Sequence, residues 1–332
     1  SLDKEVERLG IPLLEAQFTI PAFPRWSLFN RALKASKQFR NHHFQLWHSF
    51  HYLDDYTEAL VAYFSGASAW IYTKKNMSWY RRSWYLRTFF AARIGAQNHD
   101  MMKRFFGNPF FRNKVTVIPT SVDLDLYHPD ALPKLNLREQ FNIPKDAPVV
   151  ACVAQLVPVK NHALLIEASA RIPNLHVFLA GAPLDPEYTE YLHQLTHDLK
   201  IEDRVHFLGL ISDIPALLAE IDIFVLPSRS GGRAEGCPVA LLEAMSAEKC
   251  CIATDVPGSR DILSGNWGGW IVPPENTEAL AAALKELSES KELRQKIGKE
   301  ARRKICEKYR IEREVEQYLD LYDSALHRRS FL

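Results

Sequence analysis

The sequence contains no apolar run of the ~18 residues that a helix needs to cross a bilayer. No segment shows the charged, apolar and small-residue order of a signal peptide. Neither charge is in excess: 41 Lys and Arg stand against 40 Asp and Glu, a formal net charge of +1. That balance argues against a dedicated nucleic-acid binder, which would be strongly basic. Cysteine is scarce and odd in number, and Cys152, Cys237, Cys250, Cys251 and Cys306 form no zinc-like C-x2-C pair. Cys152, Cys250 and Cys251 lie in apolar, strand-like runs and read as buried free thiols of a reducing compartment. Adjacent Cys250 and Cys251 point to opposite faces of a strand, which disfavours a disulfide between them. Short-period repeats and low-complexity tracts are absent. These absences lead to the expectation of a globular protein in the cytoplasm.

What is present is enough chain for two cored domains: 332 residues, 47% hydrophobic and 24% charged. From Val149 onward, strand and helix signals alternate at the spacing of βαβ units. Strands are predicted at 149–155, 176–181, 205–209, 223–228, 250–255 and 269–272, with helices between them and at the C-terminus. The runs are apolar throughout, as a parallel sheet covered on both faces requires. The first 120 residues read similarly, with strand candidates at 11–16, 44–48, 69–73, 93–97 and 115–119. The polar, proline-bearing stretch from Asp125 to Pro148 reads as an inter-domain linker. Two Rossmann-like, doubly wound domains facing across a cleft are expected, with ligands outside the carboxyl ends of the strands. The chain starts SLDKEVERLG, without Met and already in a helix-like pattern, which points to a truncated or processed start.

The most informative segment is PSRSGGRAEGCPVALLEAMSAEKCCIATDVPGSRDIL, where Glu235 and Glu243 are eight residues apart. It resembles the retaining glycosyltransferases of glycosyltransferase family 4, whose hallmark is Glu, seven residues, Glu, then Ala-Met. IPTSVDLDLYHPD is similar to that family's "PNGVD…F" segment, VAQLVPVKN to "GRL-x-x-K-G", and LAGAPL to "GxGP". The resemblance covers roughly residues 115–300. It implies a GT-B fold, here with an N-terminal domain that lacks its first strand and glycine-rich loop. The domains would be residues 1–127 plus 313–332, the latter a returning C-terminal helix, and residues 128–312.

The chemistry suits a nucleoside-diphosphate sugar. Gly236, Cys237 and Pro238 open a helix, whose N–H groups and dipole end favour an anion or a hydroxyl-rich ring. Pro238 fits the first helical turn. The resemblance assigns Glu235 to donor-sugar hydroxyls, Glu243 to the ribose and Lys160 to the donor phosphates, where it would stabilise the leaving group. Gly181 would admit the nucleotide closely, or simply end a strand. Leu210 and Ile211 would flank the nucleobase, or pack in the core. Gln155 replaces the family's arginine, so it can donate a hydrogen bond but cannot neutralise charge. Asp261 replaces a glutamate, and Thr120 an asparagine. Lys75, after the strand at 69–73, stands where a histidine often contacts the reacting sugar. It would act electrostatically, or lie on a solvated surface. His48 and His51 end another strand and would bind the acceptor, or serve structure.

The implied activity is a hexosyltransferase-type reaction that retains anomeric configuration. A sugar would move from a nucleoside-diphosphate sugar to a hydroxyl of a glycan or lipid-linked glycan. No metal and no cofactor beyond the donor are implied. An alternative is a nucleotide-sugar-binding protein of the same fold without turnover, a reading that Gln155 and Lys75 favour. A sugar-nucleotide epimerase fits the paired glutamates less well. Residues 74–104 hold eight Lys and Arg against Asp100 alone, interleaved with Trp79, Tyr80, Trp84, Tyr85, Phe89 and Phe90. That mixture suits peripheral contact with an anionic membrane at its inner face, or a helix packing its rings on a sheet.

Overall fold

The structure, a computed structural model, describes residues 2–51, 55–78, 83–130, 135–231, 235–265 and 268–327. Two parallel sheets organise them. The first contains β1 (Leu46–Ser49), β2 (Ala69–Lys74), β3 (Arg93–Ala96) and β4 (Val115–Val117), side by side in that order. The second contains β5 (Val149–Val153), β6 (His176–Ala180), β7 (Val205–Gly209), β8 (Ile223–Leu226), β9 (Cys250–Thr254) and β10 (Gly269–Val272). Its order is β10-β9-β8-β5-β6-β7, so the winding reverses between β5 and β8. The architecture is the GT-B arrangement of two Rossmann-like units.

Strand periodicity explains why the second sheet needs apolar residues at every position. Val150, Cys152, Val177, Leu179, Ile223, Val225, Cys250 and Ile252 enter the core on one face. Their neighbours Val149, Ala151, Phe178, Ala180, Phe224, Leu226, Cys251 and Ala253 enter the core on the other. Successive side chains of a strand point to opposite faces, so both layers of covering helices demand hydrocarbon. Cys250 and Cys251 fall on opposite faces for this reason, and all five cysteines are free thiols.

The run at 11–16 is not a strand. Residues 11–23 belong to no helix, strand or bridge, and Ile11, Leu13 and Leu14 are exposed. The run has the length and apolar content of a strand but pairs with no ladder. Its continuation is held by side-chain bonds instead: Ile20 N–H donates to Thr57 Oγ1 at 3.1 Å, and Gln38 Nε2 to the Gln17 carbonyl at 2.7 Å. β1 therefore remains the edge of its sheet.

The last helix, Ile311–His327, returns to the first sheet. Leu321 and Ala325 pack with Ala69, Ile71, Ala92 and Ile118. The Tyr318 hydroxyl lies 3.0 Å from Thr73 Oγ1, and Arg93 Nε donates to Ser324 Oγ at 3.0 Å. The chain thus passes between the halves twice. The two passages lie side by side, with Val122 N–H donating to the Tyr309 carbonyl at 2.9 Å and a parallel bridge from Val122 to Arg310.

Candidate active site

The reversal between β5 and β8 opens a crevice at the carboxyl ends of those strands, where doubly wound sheets bind ligands. The chain leaving β5 turns through a short 3-10 helix, Pro158–Lys160, and presents Lys160. The chain leaving β8 presents Glu235. Lys160 Nζ donates to Glu235 Oε1 in a direct ion pair, the lysine mostly buried and the glutamate half exposed. A narrow pocket beside the pair is lined by Ser228, Pro238, Pro257 and Ser259. Gly232, Arg233 and Ala234 of the preceding loop lie outside the described residues. Gln155 is exposed near the start of the turn.

Gly181 has a reason within the chain itself. A Cβ there would sit 1.9 Å from the Ala154 carbonyl oxygen, so only glycine lets the segment after β5 cross the end of β6. Leu210 is 81% exposed just beyond β7 and takes no part in the core, whereas Ile211 packs on it.

The helix Val239–Ser246 begins one residue after Pro238, which is its cap rather than its first turn. Gly236 does not offer an open N–H to an anion. Its N–H donates to the Lys75 carbonyl at 3.1 Å, and its own carbonyl accepts from Asn98 Nδ2 at 2.7 Å. A Cβ on Gly236 would lie 2.6 Å from the Lys75 oxygen, so glycine here allows the halves to touch. Cys237 is buried against the Thr120 carbonyl, Sγ to O 3.8 Å, and burial pushes its thiol up to about 12. Glu235 adds an antiparallel bridge to Asn76. Farther out, Arg260 meets Asp100 at 2.6 Å, and Asp261 accepts from the His99 N–H at 2.7 Å.

Glu243 lies inside the helix. Its Oε1 accepts from the Tyr127 hydroxyl at 2.8 Å. Burial raises its pKa, and the Tyr127 bond works against that rise.

On the facing wall, Lys75 is half-buried with its ammonium 4.7 Å above the Phe50 ring. Burial lowers its pKa, while Glu314 of the returning helix pulls it back up. Glu314 also accepts from the Ser121 N–H at 2.8 Å. His48 has both ring nitrogens engaged, Nδ1 2.8 Å from the Tyr322 hydroxyl and Nε2 2.8 Å from Thr73 Oγ1. Burial, and then the Lys75 charge, lower its pKa to about 3. The expected acceptor role of His48 therefore gives way to a structural one: it is a neutral tie between the sheet and the returning helix. His51 lies 2.5 Å from the buried carboxylate of Glu58. Burial would raise the Glu58 pKa, but the bond and charge of His51, with Ser49 and Arg87, outweigh it and leave the pKa lowered.

Residues 74–104 do not form one solvated basic face. Lys74 and Arg87 are buried, as are Met101, Phe105 and Phe106. Lys74 Nζ donates to Asn76 Oδ1 and the Ser78 carbonyl, each at 2.7 Å, and Arg87 donates to Ser49 Oγ at 2.8 Å. Tyr85 and Phe89 are exposed; Trp79, Tyr80, Arg81 and Arg82 lie outside the described residues. No helix among the described residues is long and apolar enough to cross a membrane.

Sequence reasoning missed Asn76, Asn98, Tyr127 and Glu314. Asn98 gave a signal as a helix-capping residue after β3, and it does cap the helix His99–Phe106 through Met101 N–H. The other three are joined to the site by folding alone.

A family model described as "Glycosyl transferases group 1" matches residues 133–304, just over half of the chain. The chain is 30% identical over 216 residues to an Escherichia coli UDP-Gal:alpha-D-GlcNAc-diphosphoundecaprenol alpha-1,3-galactosyltransferase, covering 63% of this chain and 54% of that protein. It is 31% identical over 179 residues to a Mycobacterium tuberculosis GDP-mannose-dependent alpha-(1-6)-phosphatidylinositol monomannoside mannosyltransferase, covering 51% and 46%. The chain thus spans about half the length of the curated relatives it matches. Among solved structures, a glycosyltransferase from Rickettsia africae superposes with a TM-score of 0.86 at 20% identity, over 99% of this chain and 88% of that one. An Anabaena protein, HepE, in complex with UDP and glucose superposes at 0.81 and 20% identity, over 98% and 89%.

Proposed function

Because this chain belongs to the glycosyl transferases group 1 family, we propose that it transfers a hexosyl group from a nucleoside-diphosphate sugar to an acceptor hydroxyl, with retention of configuration. The observation that carries the reading is the Lys160–Glu235 ion pair at the strand reversal, facing Lys75 across the crevice. An incoming diphosphate takes Lys160 from Glu235 and leaves that carboxylate to accept from sugar hydroxyls. Glu243, oriented by Tyr127, accepts from the ribose. The acceptor oxygen bonds to the anomeric carbon on the face the nucleotide leaves. The bond from that carbon to the phosphate oxygen breaks, and the acceptor proton passes to the departing phosphate. Lys160, Lys75 and the helix dipole oppose the charge that develops there.

Gln155, Gly181, Leu210 and Ile211 complete the donor side of this proposal. Gly236, Cys237 and Pro238 serve it by joining the halves and aiming the helix. The domain division is residues 1–127 plus 313–332 and residues 128–312, with the packing of Leu321 and Ala325 on the first sheet in its favour. A glycan or lipid-linked glycan acceptor is favoured by the names of two relatives, which act on diphosphoundecaprenol-linked and phosphatidylinositol-linked sugars. A cytoplasmic location, peripheral to the inner face of a membrane, accords with such acceptors. The matched relatives give the turnover-free alternative no support.

A thermal-shift panel of nucleoside diphosphates and their sugars tests the reading. One donor should raise Tm by mass action and then support transfer. No shift with any member would overturn it.

A further inference from the structure

The helix Val239–Ser246 turns two polar side chains toward the segment that leaves the first sheet: Glu243 and, about one turn on, Ser246. Residues three apart on a helix are neighbours on its surface. Tyr127 spans both. Its hydroxyl donates to Glu243 Oε1 at 2.8 Å, and its carbonyl accepts from Ser246 Oγ at 3.0 Å. The tyrosine is therefore tied to the helix at two points, by side chain and by backbone.

The backbone tie has a third member. Arg302, from the helix Lys291–Lys308, donates through Nη1 to the Tyr127 carbonyl at 3.2 Å and to the Ser246 carbonyl at 2.5 Å, with Ser246 Oγ at 3.3 Å. Ser246 is the last residue of its helix, so its carbonyl has no partner farther along that helix. A guanidinium suits this end in two ways. It supplies the missing donor, and its charge complements the negative end of the helix dipole. One group thus joins the Tyr127 carbonyl to the helix that carries Glu243.

Packing brings the guanidinium there. Ala301 and Ile305 are fully buried in one cluster with Leu241, Leu242 and Met245. Gly298, one turn before Arg302, passes so close to the chain after Ser246 that a Cβ would lie 2.0 Å from the Glu248 carbonyl oxygen. On the other side of Tyr127, its N–H donates to the Asp123 carbonyl at 3.2 Å, and Asp123 Oδ1 accepts from the Leu126 N–H at 2.9 Å. That turn fixes where the residue begins, and Arg302 with Ser246 fixes where it ends. Hydrogen bonds weaken steeply as their angle closes, so a loosened Tyr127 backbone disturbs the hydroxyl that aims Glu243.

We propose that Arg302 is a positioning residue for recognition of the donor's ribose, acting through Tyr127 and Glu243 and not by touching the donor. The proposal rests on the glycosyltransferase reading above, in which Glu243 accepts from the ribose, and adds the residue that sets this geometry from a separate helix.

The test is calorimetric titration of the full chain with UDP and GDP and with the 2′,3′-dideoxy form of each. Arg302→Met, Arg302→Lys, Tyr127→Phe and the double variant Tyr127→Phe/Arg302→Met are titrated alongside wild type. Arg302 is partly exposed and Met is a good helix former, so the fold tolerates the change. Wild type should prefer one ribonucleotide over its dideoxy form by about tenfold or more, the worth of a hydrogen bond to a charged group. Arg302→Met should cut that preference by about threefold or more. Its affinity for the dideoxy form should change by less than about twofold, which also shows that the variant is folded. Arg302→Lys keeps a cation and its donors, and should retain more of the preference than Arg302→Met. In the Tyr127→Phe background, Arg302→Met should change the preference by less than about twofold, because the two residues act in series. Equal loss of both nucleotide forms, an unchanged preference, or independent losses in the double variant would overturn the proposal while leaving donor binding intact. A wild type that binds nucleotide without preferring the ribose would strike the assignment of Glu243 and this proposal with it. A wild type that binds neither nucleotide would instead strike the glycosyltransferase reading.

Discussion

Tyr127 and Glu243 are 116 residues apart and share one hydrogen bond, hydroxyl to Oε1, at 2.8 Å. The tyrosine comes from the segment that leaves the first sheet, and the glutamate from the helix that follows β8. The bond fixes one oxygen of a carboxylate whose pKa burial raises, and it works against that rise. Tyr127→Phe removes that donor and little else. Donor affinity should fall about three- to tenfold, the worth of one ordinary intramolecular hydrogen bond. Thermal shifts with the cognate donor at several concentrations give the number; an unchanged affinity would remove Tyr127 from the site.

Glu235 and Lys160 should separate donor binding from transfer. Their half-exposed ion pair contributes at most about 1 kcal/mol. In Glu235→Ala the lysine is released to a diphosphate, so bare nucleoside diphosphate should bind as well as in wild type, or up to about fivefold more tightly. Transfer should nevertheless collapse, because the sugar hydroxyls lose their acceptor. Lys160→Ala should lose both nucleotide affinity and about a hundredfold or more in kcat/KM. Equal transfer rates in Glu235→Ala and wild type would refute the assigned role.

Gly181→Ala is a stability experiment. The added methyl would meet the Ala154 carbonyl oxygen at 1.9 Å, and the obstacle is backbone, the peptide between Ala154 and Gln155. A loss of about 1–3 kcal/mol is expected from overpacking, read as a lowered denaturation midpoint. Gly236→Ala meets the opposite half instead, so it should reduce transfer more than it reduces stability.

His48 sets an acid limb. Its folded pKa is lowered from 6.5 to about 3, so the unfolded chain takes up a proton there that the native state refuses. Stability from this group is complete above about pH 6.5 and is lost as pH falls toward 3, at up to about 1.4 kcal/mol per pH unit. His48→Gln should flatten the fall of Tm with pH across that window. A parallel curve in the variant would show that other groups dominate.

Much of this was legible in residue patterns. The second sheet was readable because both of its faces are covered, which makes each strand an uninterrupted apolar run between turn residues. GWIV at 269–272 was read to the residue. The same signal misled at 11–16, where hydrophobicity reflects a cavity wall rather than a ladder. Pattern also placed Lys160 and Glu235 after strands, since both follow the ends of apolar runs. It could not place Tyr127 or Glu314, whose neighbours are set by a tertiary approach over long stretches of chain. Nor could it foresee that Gly236 is held by Lys75, because close contact between halves leaves no periodic trace.

The paired passages at Val122 and Arg310 carry a mechanical consequence. A single connecting segment is a swivel, free to turn about its own bonds. Two segments bridged side by side act as a flat strap, which bends readily about one line and resists torsion. Such a strap couples the two halves more stiffly in torsion than a single passage would, and the contact between Gly236 N–H and the Lys75 carbonyl lies between the halves it holds in line.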